Sequence, residues 1–505
     1  MAFSLSERAS GVLLHPTSLP GPFGCGDLGP QAHAFVQWLG SAGQRLWQML
    51  PVGPVGYGNS PYSAHSAFAG SNLLISLERL TEEGLLPLRS LPAALPEGRA
   101  DYAAARTLRE QALQTAHEAF LKRTSDHPSY EAFCAAAHWL DDWALYAAIK
   151  RARNGKPWTQ WEPELRDRDA AALDRARSAL RADLEQHRFE QFLFDRHWRS
   201  LRGECLQRGV LLVGDLPIFV AHDSADVWAH RELFFLDPQG QPTVVAGVPP
   251  DYFSATGQRW GNPLYDWEVA ERSGYRWWLQ RFTQMLQRFD GIRLDHFIGF
   301  SRYWEIPGEE PTAQNGRWRP GPGAKLFTAL ERAHGPLPLI AEDLGAVTPQ
   351  VTALRDQFGL PGIKLLQFAF GTDAQAPTFL PHNYPRSSAA YTGTHDNDTT
   401  AGWFNEDGSP QRTREQCATE RAAARAYLGT SEAIHWAMIR EVWKSVAALA
   451  LAPAQDLLGL GSEARMNLPG TASGNWEWRL TPGQLGAAEA ERLKALTQVY
   501  GRSFP

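Results

Sequence analysis

GIRLDHFIGF (residues 291–300) is a strand-like apolar run that ends on an acid, Asp295. The same design returns in LIAEDLG (339–345), which carries Glu342, and in YTGTHDNDT (391–399), which carries Asp396. Runs this apolar suit parallel strands buried on both faces. Further runs of this kind are GVLLHP (11–16), QRLWQML (44–50), GVLLVGD (209–215), GIKLLQF (362–368) and SVAALALA (445–452), while the acidic runs extend to PLIAED (338–343) and AAYTGTH (389–395). Helical patterns such as QAHAFVQWLGSAG (31–43) and GAKLFTALERAHG (323–335) lie between them. The alternation predicts parallel βα units, an α/β fold. About eight strands is the number that closes a (β/α)8 barrel. An open doubly wound sheet is the alternative, but no GxGxxG follows the first strand, which disfavours a dinucleotide fold.

The spacing is uneven. About 160 residues separate the second run from the third, far beyond a normal crossover. Residues 99–152 and 166–208 are rich in Ala, Glu, Arg and Leu, with apolar residues at helical spacing. A helical insertion subdomain is therefore expected within 75–200, after strand 2. A second insertion, 216–285, is rich in Gly, Pro and aromatics and reads as irregular. With no low-complexity linker, both should pack on one catalytic barrel spanning 1–505.

Composition excludes several classes. A net charge of −6 over 505 residues argues against a nucleic-acid partner. The start MAFSLSERASG lacks the pattern of a secretory signal, and VAALALA (446–452) is too short to span a bilayer. The four cysteines, Cys25, Cys134, Cys205 and Cys417, lack metal-ligand spacing and read as reduced thiols of a cytoplasmic protein. Tryptophan is over-used, with 19 residues. Trp260, Trp318, Trp403 and Trp476 lie in Gly/Pro/Asn-rich segments and are candidates to line a sugar groove, with core packing as the alternative.

Two carboxylates facing one bond are the minimum equipment for cleaving a glycosidic linkage. Arg293 and Asp295, two apart in a strand, share a face, while Ile292 and Leu294 point the other way. A guanidinium beside a carboxylate keeps it ionised, as a nucleophile toward an anomeric carbon requires. Glu342, held against apolar surroundings, suits a general acid. The neighbouring Asp343 reads as a helix N-terminal acid. In YTGTHDNDT, His395 and Asp396 can grip sugar hydroxyls, whereas Asn397 and Asp398 read as turn residues. One His with three Asp or Asn lacks a matching metal-ligand set, so neither metal nor cofactor is expected. Asp215, which ends GVLLVGD, occupies the same place in its βα unit. Acids at the carboxyl ends of several barrel strands converge on one rim.

These motifs closely resemble the amylomaltases, or 4-α-glucanotransferases. The likeness extends through GVLLHPTSLPGPFGCGDLG (11–29), WQMLPVGPVGYGNSPYSAHSAFAG (47–70), GDLPIFVAHDSADVW (214–228), GVPPDYFSATGQRWGNP (247–263) and ARMNLPGT (464–471). It implies Asp295 as nucleophile, Glu342 as acid/base and Asp396 as transition-state stabiliser. It implies Arg293 and His395 as their partners and Asp215 as a substrate-binding acid. Gln258 and Trp260 fall where the family has a loop over the cleft, making 247–263 a candidate lid. Tyr62, Phe368 and Asn467 match groove positions. No trailing β-sandwich is implied. Ile298 stands where many relatives carry Arg. The expected reaction moves segments of α-1,4-glucans (maltooligosaccharides, amylose, starch or glycogen) to glucose or a maltodextrin, by a retaining double displacement. That needs the two carboxyl groups about 5–5.5 Å apart. A hydrolase with the same acids and a catalytically silent glucan-binding barrel are the rival readings.

Overall fold

The structure is a computed structural model that describes residues 4–250, 254, 256–409 and 412–503. Its strands run in chain order β1 (Ala9–Leu13), β2 (Leu46–Gln48), β3 (Leu211–Pro217), β4 (Val244–Val248), β5 (Gln258–Pro263) and β6 (Gly291–Asp295). They continue as β7 (Arg302–Pro307), β8 (Arg317–Pro320), β9 (Leu339–Ala341), β10 (Gly362–Leu365), β11 (Ser388–Tyr391) and β12 (Leu449–Pro453). Eight close a parallel barrel in the order β1-β12-β11-β10-β9-β6-β3-β2. All eight apolar runs of the sequence become barrel strands, and β1 meets β12 with Ala9 opposite Leu449.

Alternation decides which residues fill the barrel. Leu46, Val213, Ile340, Ile363, Leu365, Ala389, Tyr391, Leu449 and Leu451 pack together inside it. Ile292 and Leu294 belong instead to the larger core between strands and helices. That leaves Arg293 and Asp295 on the inner side, as their i, i+2 spacing requires. Gly214 is needed on the outer side of β3, because a Cβ there would lie 2.4 Å from the Phe289 ring.

Between β2 and β3 the chain forms mainly helices, among them Tyr102–Phe120, Leu140–Ala152 and Arg181–Gln207. The first is started by Asp101, whose side chain accepts from the Ala104 N–H. It is tied to the barrel by a fully buried Arg109, which reaches Asp27 at 3.0 Å and the Phe23 carbonyl at 2.8 Å. Residues 216–285 are more regular than their composition suggests. β4 and β5 pair antiparallel and continue through β7 and β8 into one sheet, ordered β5-β4-β7-β8. Short strands broken by Gly and Pro give little period to detect, and half of this sheet comes from beyond β6. After β12 the described residues form helices and turns, with no further strand.

The N-terminal end of the barrel is closed by Arg502. Its buried guanidinium donates to the carbonyls of Trp443, Ala9, Ala448, Ser445 and Ala447 at 2.7–3.1 Å. It thereby joins β1, the approach to β12 and the end of the helix Ile434–Lys444. Arg502→Ala removes five hydrogen bonds from this buried cluster and should lower unfolding stability by about 3 kcal/mol or more. Urea denaturation monitored by circular dichroism measures this. Arg502→Lys should recover only part, since an ammonium has three donors where the guanidinium has five.

Candidate active site

The acids gather at the carboxyl end of the barrel around one cation. β3 and β6 pair with Asp215 opposite Arg293. Arg293 Nη1 donates to both oxygens of Asp215, at 2.8 and 2.7 Å, and to Asp295 Oδ1 at 3.0 Å. Its Nη2 stands 4.0 Å from Glu342 Oε2, delivered by the end of β9. Burial works against the charge on Arg293, yet Asp215 and then Asp295 hold its proton more firmly than usual. Burial pushes the Asp215 carboxyl upward, opposed chiefly by Arg293. Two guanidinium bonds favour the carboxylate form.

A second chain of bonds runs outward from Asp215. The Tyr62 hydroxyl donates to Asp215 Oδ2 at 2.8 Å. With its one proton committed, it accepts from His395 Nε2 at 2.9 Å, which assigns the proton on that ring to Nε2. The two rings stack with centroids 5.3 Å apart. His395 Nε2 also lies 3.4 Å from Asp396 Oδ2. Asn467 Nδ2 donates to Asp396 Oδ1 at 2.6 Å, and its main-chain N–H donates to the His395 carbonyl. Solvent access is graded: the Asp215 side chain is 0% exposed, Glu342 15%, Asp295 26% and Asp396 45%.

The acidity of Glu342 is strongly altered. Burial pushes its carboxyl up to about 8, with Asp295 and Asp396 adding to the rise. Arg293 and the main-chain N–H of His296, which donates to Oε2 at 2.7 Å, pull the other way. A proton is therefore retained at neutral pH on an acid that adjoins an anion.

Among the expected groove residues, Trp260 is 39% exposed, and its indole N–H donates to Gln258 Oε1 at 3.1 Å. Its ring meets the His296 ring edge to face at 4.9 Å. Phe368 follows β10 and is well exposed, with its ring edge to face against Phe379 at 5.5 Å. Of the candidate lid 247–263, residues 251–253 and 255 lie outside the described residues.

Several expectations change. Trp403 and Trp476 are buried, the former against Phe370 and the latter against Tyr62 and His395, so neither offers an open face to a sugar. Trp318 packs on Trp304 and under the Arg302 guanidinium. Asp343 does not start a helix: it bonds Arg355 at 2.5 Å and the Ile363 N–H at 2.9 Å, locking β9 to β10. Asn397 serves its turn, accepting from the Thr394 N–H and hydroxyl. Arg465 was not singled out, yet it donates to the Asp396 carbonyl at 2.7 Å. It acts on a main-chain atom 69 residues away, a partner that no local pattern announces. Among the described residues, no group of three or more His, Cys, Asp or Glu is placed to hold a metal ion.

Residues 14–485 match the glycoside hydrolase family described as 4-alpha-glucanotransferase. The chain belongs to this family. It is 50% identical to the 4-alpha-glucanotransferase of Thermus thermophilus, over 98% of this chain and 99% of that one. It is 43% identical to the chloroplastic/amyloplastic 4-alpha-glucanotransferase of Solanum tuberosum, over 98% of this chain and 87% of the other. The solved structure of amylomaltase from Streptococcus agalactiae in complex with acarbose superposes with a TM-score of 0.94 at 36% identity, covering 99% of this chain and 100% of that one. The 4-alpha-glucanotransferase relatives thus extend over nearly the whole chain.

The electrostatics of Glu342 can be tested without turnover. Asp295→Asn removes a neighbouring negative charge, which favours ionisation of Glu342, so its titration should move below about 8. Carbon-13 NMR of labelled glutamate carboxyls, assigned through Glu342→Gln, follows the shift.

Proposed function

We propose that this 4-alpha-glucanotransferase transfers α-1,4-glucan segments by a retaining double displacement, with Asp295 as nucleophile, Glu342 as acid/base and Asp396 as stabiliser. The observation that carries the assignment is the contrast around Arg293. The same guanidinium bonds Asp295 directly but stops 4.0 Å short of Glu342, which burial keeps protonated at neutral pH. Two carboxyl groups with different environments take different roles.

In the first step Glu342 gives its proton to the glycosidic oxygen while an Asp295 oxygen attacks the anomeric carbon. The C–O bond to the leaving fragment breaks, and a β-glucosyl ester on Asp295 remains. In the second step the 4-hydroxyl of glucose or a maltodextrin gives its proton to Glu342 and attacks the same carbon. The ester bond breaks, Asp295 is restored and the new linkage is α-1,4. Asp396, aligned by Asn467 and His395, supplies negative charge where the oxocarbenium-like transition state is positive. Asp215 and Tyr62 hold the floor of the sugar site. Residues 216–285, through Gln258 and Trp260, shape the cleft, with Phe368 further out as an exposed aromatic face. Transfer succeeds where the acceptor is bound and water is excluded. No helix among the described residues is long and apolar enough to cross a membrane. The four free cysteines support a cytoplasmic setting.

With maltotriose alone, the protein should yield glucose and a ladder of longer maltodextrins, visible by chromatography. Only shorter products would favour a hydrolase. Asp295→Asn should cut turnover by about 10³-fold or more while leaving the thermal unfolding profile in place; full residual activity would remove the nucleophile assignment. Because Glu342 must enter the first step protonated, kcat/KM should fall as pH rises through about 8. A flat profile to pH 10 would contradict that role.

A further inference from the structure

β6 ends at Asp295, and the next residue, His296, adopts the left-handed region with φ +51°. In a regular strand, successive amides point to opposite sides. Here the N–H groups of His296 and Phe297 both reach Glu342. The first donates to the side-chain Oε2 at 2.7 Å, the second to the main-chain carbonyl at 3.0 Å. Glu342 returns its own N–H to the Leu294 carbonyl at 3.1 Å. The Glu342 carboxyl is thus anchored to the main chain of the neighbouring strand, one residue from Asp295.

The His296 ring is equally constrained. It meets Trp260 edge to face at 4.9 Å and Phe219 at 6.5 Å. Below it lies Gly299, where a Cβ would come within 3.1 Å of His296 Cδ2 and 2.9 Å of Ile218 Cδ1. Burial lowers the ring to about 4 despite Asp295, so it is a neutral surface at working pH. A left-handed backbone costs a non-glycine residue of order 1 kcal/mol, although histidine tolerates it better than most. Such a conformation persists where its surroundings fix it, and here Glu342 holds the amide while Trp260, Phe219 and Gly299 bound the ring.

We propose that His296 is a positioning residue that couples Trp260 to Glu342: its amide sets the acid/base carboxyl, and its ring supports the indole over the cleft. The proposal rests on the assignment of Glu342 as acid/base. It makes the turn after β6 the link through which the placement of Trp260 reaches the proton donor. Glu342 is also buried and faced by Arg293, Asp295 and Asp396, so the amide is one of five influences on its proton. It favours the carboxylate, and its loss moves the basic limb of kcat/KM upward.

Two substitutions separate amide from ring. His296→Gly deletes the ring and leaves the left-handed backbone without strain; His296→Val deletes the ring and opposes that backbone. The Gly variant should keep the wild-type basic limb while its hydrolysis-to-transfer ratio on maltotriose rises severalfold. The Val variant should also move the basic limb upward and lose about tenfold in kcat, as expected for a misplaced donor. If Val does not fold, as judged by circular dichroism, His296→Ala replaces it. Coincident pH limbs in the Gly and Val (or Ala) variants, or a wild-type product ratio in Gly, overturn the coupling. Glu342→Gln is measured alongside. If it retains full turnover, the acid/base assignment itself falls; if it is inactive while the His296 variants behave as wild type, only the coupling falls.

Discussion

A single buried guanidinium organises the carboxyl end of this barrel. Arg293 cannot shed its proton, and an isolated charge at that depth would cost several kcal/mol. Asp215 meets it with two bonds across the β3–β6 pair, and Asp295 adds a third. Removing Arg293 or Asp215 leaves the other member of this fully buried pair uncompensated, a loss of about 3–5 kcal/mol. The register that sets Asp215 beside Arg293 is thereby tied to the chemistry. A slip of one residue would turn Arg293 and Asp295 outward and put Ile292 and Leu294 in the mouth.

From that floor, bond direction is specified step by step. Tyr62 gives its proton to Asp215 and accepts one from His395, whose Nε2 also lies 3.4 Å from Asp396 Oδ2. Asn467 and Arg465 hold Asp396 from its side chain and its carbonyl. These groups lie in β3 and β6 or follow β2, β9, β11 and β12, so the site exists only when the barrel is closed. The fall in burial from Asp215 to Asp396 supports the proposed division of labour: charge held fixed below, charge presented to a sugar above.

The barrel was legible because its strands are buried on both faces and carry a near-continuous apolar signal, as in GVLLVGD and SVAALALA. The acids were legible because each ends such a run. The antiparallel sheet of β4, β5, β7 and β8 left no comparable trace: QRWGNP and RWRP are short, polar and half exposed. Asp343 deceived for a related reason. Its position next to Glu342 suggests a helix start, but its partners, Arg355 and Ile363, are brought to it by the following βα unit. Composition marked four tryptophans as groove candidates, and of these Trp260 is the most exposed, with its ring against His296; aromatic residues in Gly-rich segments pack as readily as those in helices.

By itself the sequence determined the barrel, the strand ends, the acids and the face shared by Arg293 and Asp295. Those features follow from local periodicity and the alternation of side chains along a strand. Tertiary structure alone decided what distinguishes the carboxyl groups. Glu342 keeps its proton because it is buried and two other acids adjoin it, and the left-handed turn at His296 sets an amide against its oxygen. Acidity depends on burial and on charges from distant segments, and no stretch of sequence contains those distances.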